Sequence, residues 1–267
     1  MREKKTPPFR TEAEMCAAFI AALPAGWTAY AETGGFDILL VRGADGFQIG
    51  VEAKLRLNAE VLTQVLEADG WEYRDHGPDC RAVLVPDGYG GGFNTIASHL
   101  AITVIRMNPT NRGYVYRFDP RLPEPSGGDS FLIEYHNKSW HELCPLLRLD
   151  LPEYIPDVAA GSSAPVQLTP WKIAALKIAV ILETRGFVTR ADFKALNIDP
   201  RRWIDGHWLI AGDAGLVRGP NCPDFAGQHP TVVEQIRDDF PEWAPRHAAT
   251  PVGKVPVQPL LFGEAAA

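Results

Sequence analysis

Cysteine and histidine are scarce in this sequence, and their spacing argues against zinc sites. The 267 residues include four cysteines, which lie far apart, form no CxxC pair and have no histidine nearby at zinc-ligand spacing. We therefore expect reduced thiols that mostly pack in the interior. The seven histidines form no HExxH or HxxxH pair, so a zinc site is not expected.

Long apolar runs are also missing. No run reaches the roughly 18 residues that a membrane helix needs, and the opening MREKKTPPF is basic without the apolar stretch of a signal peptide. We expect a cytoplasmic protein with no membrane partner. The sequence has no GxSxG serine-hydrolase motif, and DGYGGGFN (87–94) lacks the last glycine of the dinucleotide-binding pattern, so it indicates a flexible turn.

Basic residues are outnumbered by acidic ones, 26 to 33, and the formal net charge is −7. This balance argues against a protein that coats nucleic acid by bulk attraction, so any contact with DNA must be local. Apolar residues make up 46% of the chain and charged residues 22%, which is the composition of a soluble globular protein. The length suits one large domain or two ordinary ones.

The hydrophobic pattern over residues 1–150 predicts an α/β domain with a mixed central sheet flanked by helices. Thr11 and Glu14 form a capping signature at the start of TEAEMCAAFIAALP, which predicts a first helix ended by Pro24. A hairpin, a second helix, and further strands around a third helix should follow. The segments are FDILLV (36–41), FQIGVEAKLR (47–56), NAEVLTQVLEADGWEY from Asn58, CRAVLVP (80–86), FNTIASHLA (93–101), ITVIRM (102–107) and GYVYRF (113–118).

The rest of the chain predicts a second, smaller domain. Residues 151–169 are rich in Pro, Ala, Gly and Ser, which is typical of a linker. Residues 170–243 predict three helices, PWKIAALKIAVILETRG, TRADFKAL and DPRRWIDGHWLI, followed by a short β wing in GLVRGPNCPDF. This order resembles a winged-helix module. Residues 244–267 have no helical or strand period and predict a disordered tail.

Three charged residues interrupt the predicted hairpin. Glu52 and Lys54 are two apart in a strand and so share a face, and Asp37 can lie beside them if the hairpin pairs. Neighbouring carboxylates repel unless a cation sits between them, and their oxygens suit Mg²⁺ or Mn²⁺. Such an ion would polarise a phosphate and lower the pKa of a bound water, which Lys54 could orient or deprotonate. The alternative is a plain salt bridge at a strand end.

The sequence "FD" followed by "EAK" resembles the PD-(D/E)XK nucleases over residues 10–107. It is more similar still to a bacterial branch of predicted PD-(D/E)XK phosphodiesterases that also carry a helical C-terminal module. The resemblance implies a restriction-endonuclease-like core, with Asp37, Glu52 and the Ala53 carbonyl as metal ligands and Lys54 as the catalytic lysine. The family often has proline before the first acid, where this sequence has Phe36.

Two further residues are candidates for that site. Many family members add a glutamate from the first helix, and we choose Glu12 as a further metal ligand, because it lies on the buried face, whereas Glu14 occupies the capping position. A favourable charge at a helix N-terminus is the alternative for Glu12. Gln64 lies on an otherwise apolar face of the second helix, where several nuclease branches place a supporting glutamine, or it is a half-exposed polar residue.

Candidate nucleic-acid contacts lie in both domains. Arg56 and Asn58 follow Lys54 and can touch the phosphate backbone, although an exposed strand end explains them equally well. Residues 170–220 carry eight Lys or Arg against five Asp or Glu. Four of these basic residues lie around the second and third predicted helices of the second domain, where a winged helix meets phosphates or where solvated helix faces carry charge. They are Arg190, Lys194, Arg201 and Arg202.

The tail contains VQPLLF (257–262), in which Gln258, Leu261 and Phe262 resemble the short peptide that docks bacterial proteins on the sliding clamp. An apolar tail that folds back on its own domain is the alternative. Taken together, the sequence predicts a bacterial or phage metal-dependent nuclease that hydrolyses DNA in replication, repair or restriction. The alternatives are a non-catalytic DNA-binding or regulatory protein on the same fold, and a nuclease acting on RNA.

Overall fold

The computed structural model describes residues 8–67, 76–88, 92–108, 117–125, 137–162 and 168–245. The chain divides into two compact units, with the boundary between Leu168 and Thr169. Within the described residues, no helix is long and apolar enough to span a bilayer.

The first unit is built around a mixed sheet, as the sequence predicts, and this sheet has six strands. The strands lie side by side in chain order, with β1 to β3 antiparallel, β3 to β5 parallel and β6 antiparallel to β5. Three helices accompany the sheet. The elements are α1 (Glu12–Ile20), β1 (Trp27–Thr33), β2 (Phe36–Arg42), β3 (Gln48–Ala53), α2 (Ala59–Glu67), β4 (Cys80–Pro86), α3 (Phe93–His99), β5 (Ile102–Met107) and β6 (Phe118–Asp119).

The sequence prediction missed β1, and it placed a strand over 113–118, of which all but Arg117 and Phe118 lie outside the described residues. The helix α1 begins as predicted, because the Thr11 hydroxyl accepts a hydrogen bond from the Glu14 backbone N–H at 3.1 Å. It ends at Ile20 rather than at Pro24. The Glu14 carboxylate accepts a hydrogen bond from the Arg10 N–H at 2.8 Å, so Glu14 is occupied at the helix N-terminus.

The core of the first unit has two halves on opposite faces of the sheet. On one face, α1 buries Met15, Cys16 and Phe19 against inward residues of β2 and β3. On the other face, α2 and α3 pack on β4 and β5. Strand β3 is buried along its whole length, because it lies in the middle of the sheet between two covered faces.

Phe36 and Gly50 form a close contact within the hairpin. Phe36 is buried, and a Cβ atom built on Gly50 would lie 2.5 Å from its ring atom Cζ. Only a residue without a side chain fits under this ring. The packing therefore fixes the conformation of the residue that precedes Asp37.

Part of the predicted linker, within residues 151–162, packs against the rest of the first unit. Tyr154 and Ala160 are buried, and Ala160 belongs to the same apolar cluster as Met15 and Phe19. The Gly161 N–H donates to Glu32 at 2.9 Å. The linker was predicted from its Pro, Ala, Gly and Ser content. Composition does not show whether small and aromatic residues pack beside a helix. Residues 163–167 lie outside the described residues.

The second unit consists of helices around a small hairpin. Its elements are α4 (Pro170–Arg185), α5 (Arg190–Ala195), α6 (Arg201–Asp205), β7 (Leu209–Ala211), β8 (Leu216–Arg218), α7 (Phe225–Gln228), α8 (Pro230–Asp238) and α9 (Phe240–Trp243). Val188 pairs with Leu216, so a third extended segment joins the hairpin. The third predicted helix is shorter than expected. It ends at Asp205, with Gly206 as its C-cap, and the strand β7 begins at Leu209.

Buried side chains fix the start of α5. Thr189 caps this helix in a reciprocal capping box with Asp192, and Asp192 is also paired with Arg185 from the end of α4. Both charged partners are buried, so each needs the other. The predicted tail, residues 244–267, lies outside the described residues from 246 onward.

Candidate functional site

Asp37 and Glu52 lie across from each other at one end of the hairpin. Strands β2 and β3 pair in a register that puts Ile38 opposite Val51, and Asp37 and Glu52 are the next residues beyond this pair. The two carboxyl groups are hydrogen-bonded to each other. Asp37 Oδ2 also accepts a hydrogen bond from the Ala53 backbone N–H at 2.8 Å, which fixes the side chain against the end of β3. The structure thus brings together the two acids that the sequence singles out.

The pKa of Glu52 lies well above that of an exposed glutamate. Burial raises the pKa of Glu52 to about 8, and the negative charge of Asp37 and the hydrogen bond to it act in the same direction, while Lys54 opposes them. Glu52 has only 9% of its surface exposed, so water screens the repulsion poorly. Two acids this close retain a proton near neutral pH unless a cation takes its place.

Lys54 follows directly after β3, and its backbone N–H donates to Leu84 O at 3.0 Å. Its Nζ atom lies 3.5 Å from Glu12 Oε2, in the first turn of α1. The structure therefore brings Glu12, and not Glu14, toward the site. Among the described residues, no three His, Cys, Asp or Glu side chains lie close enough to hold a metal ion together. Glu12 is thus seen as the ion-pair partner of Lys54.

The donor set at the strand end nevertheless fits a hard divalent cation. Two carboxylates, from Asp37 and Glu52, and the Ala53 carbonyl expected from the family resemblance are oxygen ligands of the kind that Mg²⁺ and Mn²⁺ prefer. Mg²⁺ commonly keeps several of its water ligands, so two carboxylates are a usual protein contribution. We find no feature of these residues that would favour a softer metal.

The acid pair opens into a cavity of about 440 Å³, large enough for a hydrated cation and a phosphate group. Gln64 of α2 lines this cavity, as the sequence predicts, and its Oε1 atom is buried without a hydrogen-bond partner in the described part of the chain. A buried carbonyl oxygen normally finds a donor. A donor in the cavity, either water or substrate, would satisfy it. The remaining wall residues are Glu32, Gly35, Phe36 and Glu67.

Glu32 is a site residue that the sequence prediction missed. It lies in β1 with φ of +49°, a conformation that non-glycine residues rarely adopt. Its carboxylate accepts hydrogen bonds from the backbone N–H groups of Gly161 and Ser162. Burial, followed by the charge of Asp37, raises the pKa of Glu32. The residues ETGG directly before the FD motif were the available signal, but finding it required β1.

Gly161 packs closely against α1, beside Glu12 and Cys16. A Cβ atom on Gly161 would lie 3.1 Å from Cys16 Sγ and 3.3 Å from the Glu12 carbonyl carbon, and its φ of +70° suits glycine. Burial raises the pKa of the Cys16 thiol, and the neighbouring acids add to this effect. Cys16 is therefore a packing residue, as predicted for the thiols, rather than a nucleophile.

Two predicted phosphate contacts beside the site have different surroundings. Arg56 is exposed in the loop after β3. Asn58 accepts a hydrogen bond from the Val61 N–H at 3.1 Å, so its side chain caps α2. Asn58 therefore stabilises the start of α2. The exposed Arg56 is the better placed of the two to contact a ligand.

The predicted contacts of the second unit also differ from one another. Arg190 and Lys194 are exposed on α5. Arg201 is paired with Asp199 at 2.7 Å, and both side chains are exposed. Arg202 lies over the rings of two tryptophans. The predicted clamp-binding residues, Gln258, Leu261 and Phe262, lie outside the described residues.

Comparison of the chain with protein-family models, with curated proteins and with solved structures gives no match in any of the three. The resemblance to the PD-(D/E)XK nucleases therefore rests on Asp37, Glu52 and Lys54 and on the strands that carry them.

Proposed function

We propose that the first unit is a metal-dependent phosphodiesterase that hydrolyses nucleic acid, with DNA as the favoured substrate. The observation that carries the proposal is the contact between Asp37 and Glu52 at the end of two paired strands, with Lys54 beside them. A purely structural sheet gains little from two neighbouring acids in a buried position, because burying their charges is costly and the two carboxylates repel each other when both are ionised.

Each residue has a role that follows from its position. Asp37, Glu52 and the Ala53 carbonyl would hold Mg²⁺ or Mn²⁺, which supplies a Lewis acid at the scissile phosphate and lowers the pKa of a bound water. Lys54 orients that water or stabilises charge on the phosphate as the transition state forms. Glu12 holds the Lys54 ammonium in place. Gln64 accepts a hydrogen bond from water or substrate in the cavity.

The element order of the first unit supports this assignment. A helix before an antiparallel hairpin, then a helix and a parallel strand, is the element order of a restriction-endonuclease-like core, and the first unit has this order. Phe36 replaces the family's usual proline. Its burial against Gly50 restricts the backbone before Asp37 in a different way, since the ring leaves that strand little room to shift.

For the second unit we propose a winged-helix-like DNA-binding role. The support is the order α4, Val188, α5, α6 and the β7–β8 hairpin, in which Val188 pairs with the hairpin as a third extended segment. We further propose that the tail docks on a bacterial sliding clamp through Gln258, Leu261 and Phe262. That proposal rests on the sequence QPLLF alone.

The test is cleavage by the purified full-length protein with Mg²⁺ on a panel of single-stranded, duplex, branched and RNA substrates. Wild type should cut at least one member, and Asp37→Asn, Glu52→Gln and Lys54→Ala should abolish the cleavage. Glu60→Gln, which removes an exposed acid from the first turn of α2, is the matched control and should cut normally. No cleavage by wild type, or equal cleavage by the site variants, would refute the proposal. Preference for RNA would redirect it.

A further inference from the structure

A row of stacked groups runs from the core of the second unit to its surface. Trp203 is fully buried, and Trp208 packs edge-on against it with ring centroids 5.5 Å apart. The Arg202 guanidinium lies 5.3 Å from the centroid of Trp208 and 5.2 Å from that of Trp171. Trp171 is the outer end of the row, and 38% of its surface is exposed.

The row is not explained by core packing alone. Trp208 packs against the apolar cluster of the second unit that contains Trp203, whereas the outermost ring, Trp171, is exposed. Its indole is held by the charge of Arg202, which attracts the electron-rich faces of both tryptophans. An exposed tryptophan held this way presents an aromatic face to solvent, and such residues are enriched where proteins bind ligands.

The cations next to Trp171 favour an anionic ligand. Residues 170–220 carry eight Lys or Arg against five Asp or Glu, and residues 221–243 carry one against five. Two of the eight, Lys177 and Arg185, are buried and unavailable to a ligand. Lys172 follows Trp171 in the chain, and Arg202 lies against both tryptophans. Arg201 precedes Arg202, although Asp199 partly neutralises it. Aromatic faces beside cations are the means by which proteins bind single strands.

We propose that Trp171 is a stacking platform for an unpaired base, with Arg202 holding the indole and the neighbouring cations contacting phosphate. The bases of an intact duplex are stacked on each other and offer no free face to Trp171. The ligand class is therefore single-stranded nucleic acid, as a free strand, a flap or an open end. This inference deepens the proposed function by naming the form of nucleic acid that the second unit recognises.

Binding without cleavage tests the platform. The full-length protein in EDTA is titrated into three fluorescent probes of equal length: a twelve-nucleotide oligothymidylate, the same strand with every base removed, and a duplex. Wild type should bind oligothymidylate most tightly, because only that probe offers both unpaired bases and phosphates. Trp171→Ala should weaken this binding by about 5- to 150-fold, the range for loss of one stacked base, and should bring its affinity close to that for the abasic strand.

Three further variants separate stacking from charge and from folding. Trp171→Phe should keep most of the affinity, since it retains a ring. Arg202→Lys keeps the charge but loses the planar group, so it should bind between wild type and Trp171→Ala. Trp243→Phe alters an indole that lies over Lys177 and should bind as wild type does. Thermal unfolding of each variant reports whether it is folded.

Several results would overturn the platform. These are equal affinity of wild type for the normal and abasic strands, preference for the duplex, or a folded Trp171→Ala variant that binds within twofold of wild type. An absence of oligonucleotide binding combined with binding of an oligosaccharide such as maltohexaose would reassign Trp171 to sugar recognition. Because EDTA prevents metal-dependent cleavage, these outcomes are independent of whether the first unit is a nuclease.

Discussion

Lys54 and Glu12 form an ion pair of 3.5 Å that joins the end of β3 to the first turn of α1. Both side chains are only partly exposed, so the pair is better shielded than most surface ion pairs. Its consequence is that α1 holds Lys54, the proposed catalytic lysine, while the acids that would bind metal come from the hairpin.

Glu12→Gln should therefore lower turnover, by roughly 10-fold, because the ammonium of Lys54 loses its charged partner and its fixed position. The Mg²⁺ concentration for half-maximal rate should stay unchanged. Glu14→Gln is the control, and should leave turnover alone while costing at most about 1 kcal/mol of stability through the cap. Steady-state cleavage over a Mg²⁺ titration distinguishes the two. A large rise in the Mg²⁺ requirement of Glu12→Gln would instead make Glu12 a metal ligand.

The raised pKa of Glu52 predicts a pH dependence of stability in metal-free protein. Its ordinary pKa is 4.5 and its folded-state pKa is about 8. The folded state binds this proton more tightly, so the contribution is full below pH 4.5 and is lost as pH rises through about 8. We expect the free energy of unfolding to fall by roughly 1–3 kcal/mol across this interval.

Urea unfolding in EDTA at pH 5, 7 and 9 measures this effect. Glu52→Gln removes this titrating group and should reduce the pH dependence, leaving the part that comes from the raised pKa of Glu32, and Glu60→Gln should keep the wild-type profile. If Glu52→Gln and wild type lose stability in parallel, another group is responsible.

Metal binding should stabilise the protein independently of any reaction. A cation that binds the folded state alone adds about 1.4 kcal/mol at ten times its dissociation constant, which corresponds to roughly 2–4 °C in melting temperature. Mg²⁺ added after EDTA treatment should produce this rise in wild type and in Glu60→Gln. Asp37→Asn and Glu52→Gln should not respond, since each lacks one ligand. An equal rise in all four proteins would place the ion elsewhere.

Gly161→Ala should be more costly than an ordinary glycine substitution. Its positive φ costs about 1 kcal/mol for a residue with a side chain, and the new methyl group would also press on Cys16 and Glu12. We expect a total loss of roughly 2–4 kcal/mol. Gly88→Ala is the matched control, because Gly88 has φ of +82° and no described atom within 4 Å of a built Cβ, so only the backbone term applies. Chemical denaturation of both variants gives the difference. Similar losses for the two would mean that the contact with α1 is unimportant.

The central hairpin could be predicted because its information is local. Apolar β-branched residues flank a turn, and the two-residue period puts Glu52 and Lys54 on one face. The cap of α1 was equally readable from Thr11 and Glu14. The choice of Glu12 followed from helix periodicity, but its partner did not, since the contact with Lys54 depends on how α1 sits on the sheet.

The missed features depend on contacts between distant parts of the chain. Strand β1 lacks a strong apolar alternation and is defined by its pairing with β2, so Glu32 was missed with it. The segment 151–162 has the composition of a linker, yet Ala160 and Gly161 fit against α1 because they are small. The sequence leaves Asn58 as either a phosphate contact or an exposed strand end, whereas the structure uses this short polar residue as a helix cap.

The Phe36–Gly50 contact has a consequence for how this sequence can vary. A side chain at position 50 requires a smaller residue at position 36, because both compete for the same volume. The two positions should therefore change together among natural variants, with Gly50 kept wherever Phe36 is kept. Proline at position 36 would leave room for alanine or serine at position 50. The residue at position 50 would therefore indicate whether a natural variant restricts the backbone before Asp37 with a packed phenylalanine or with proline.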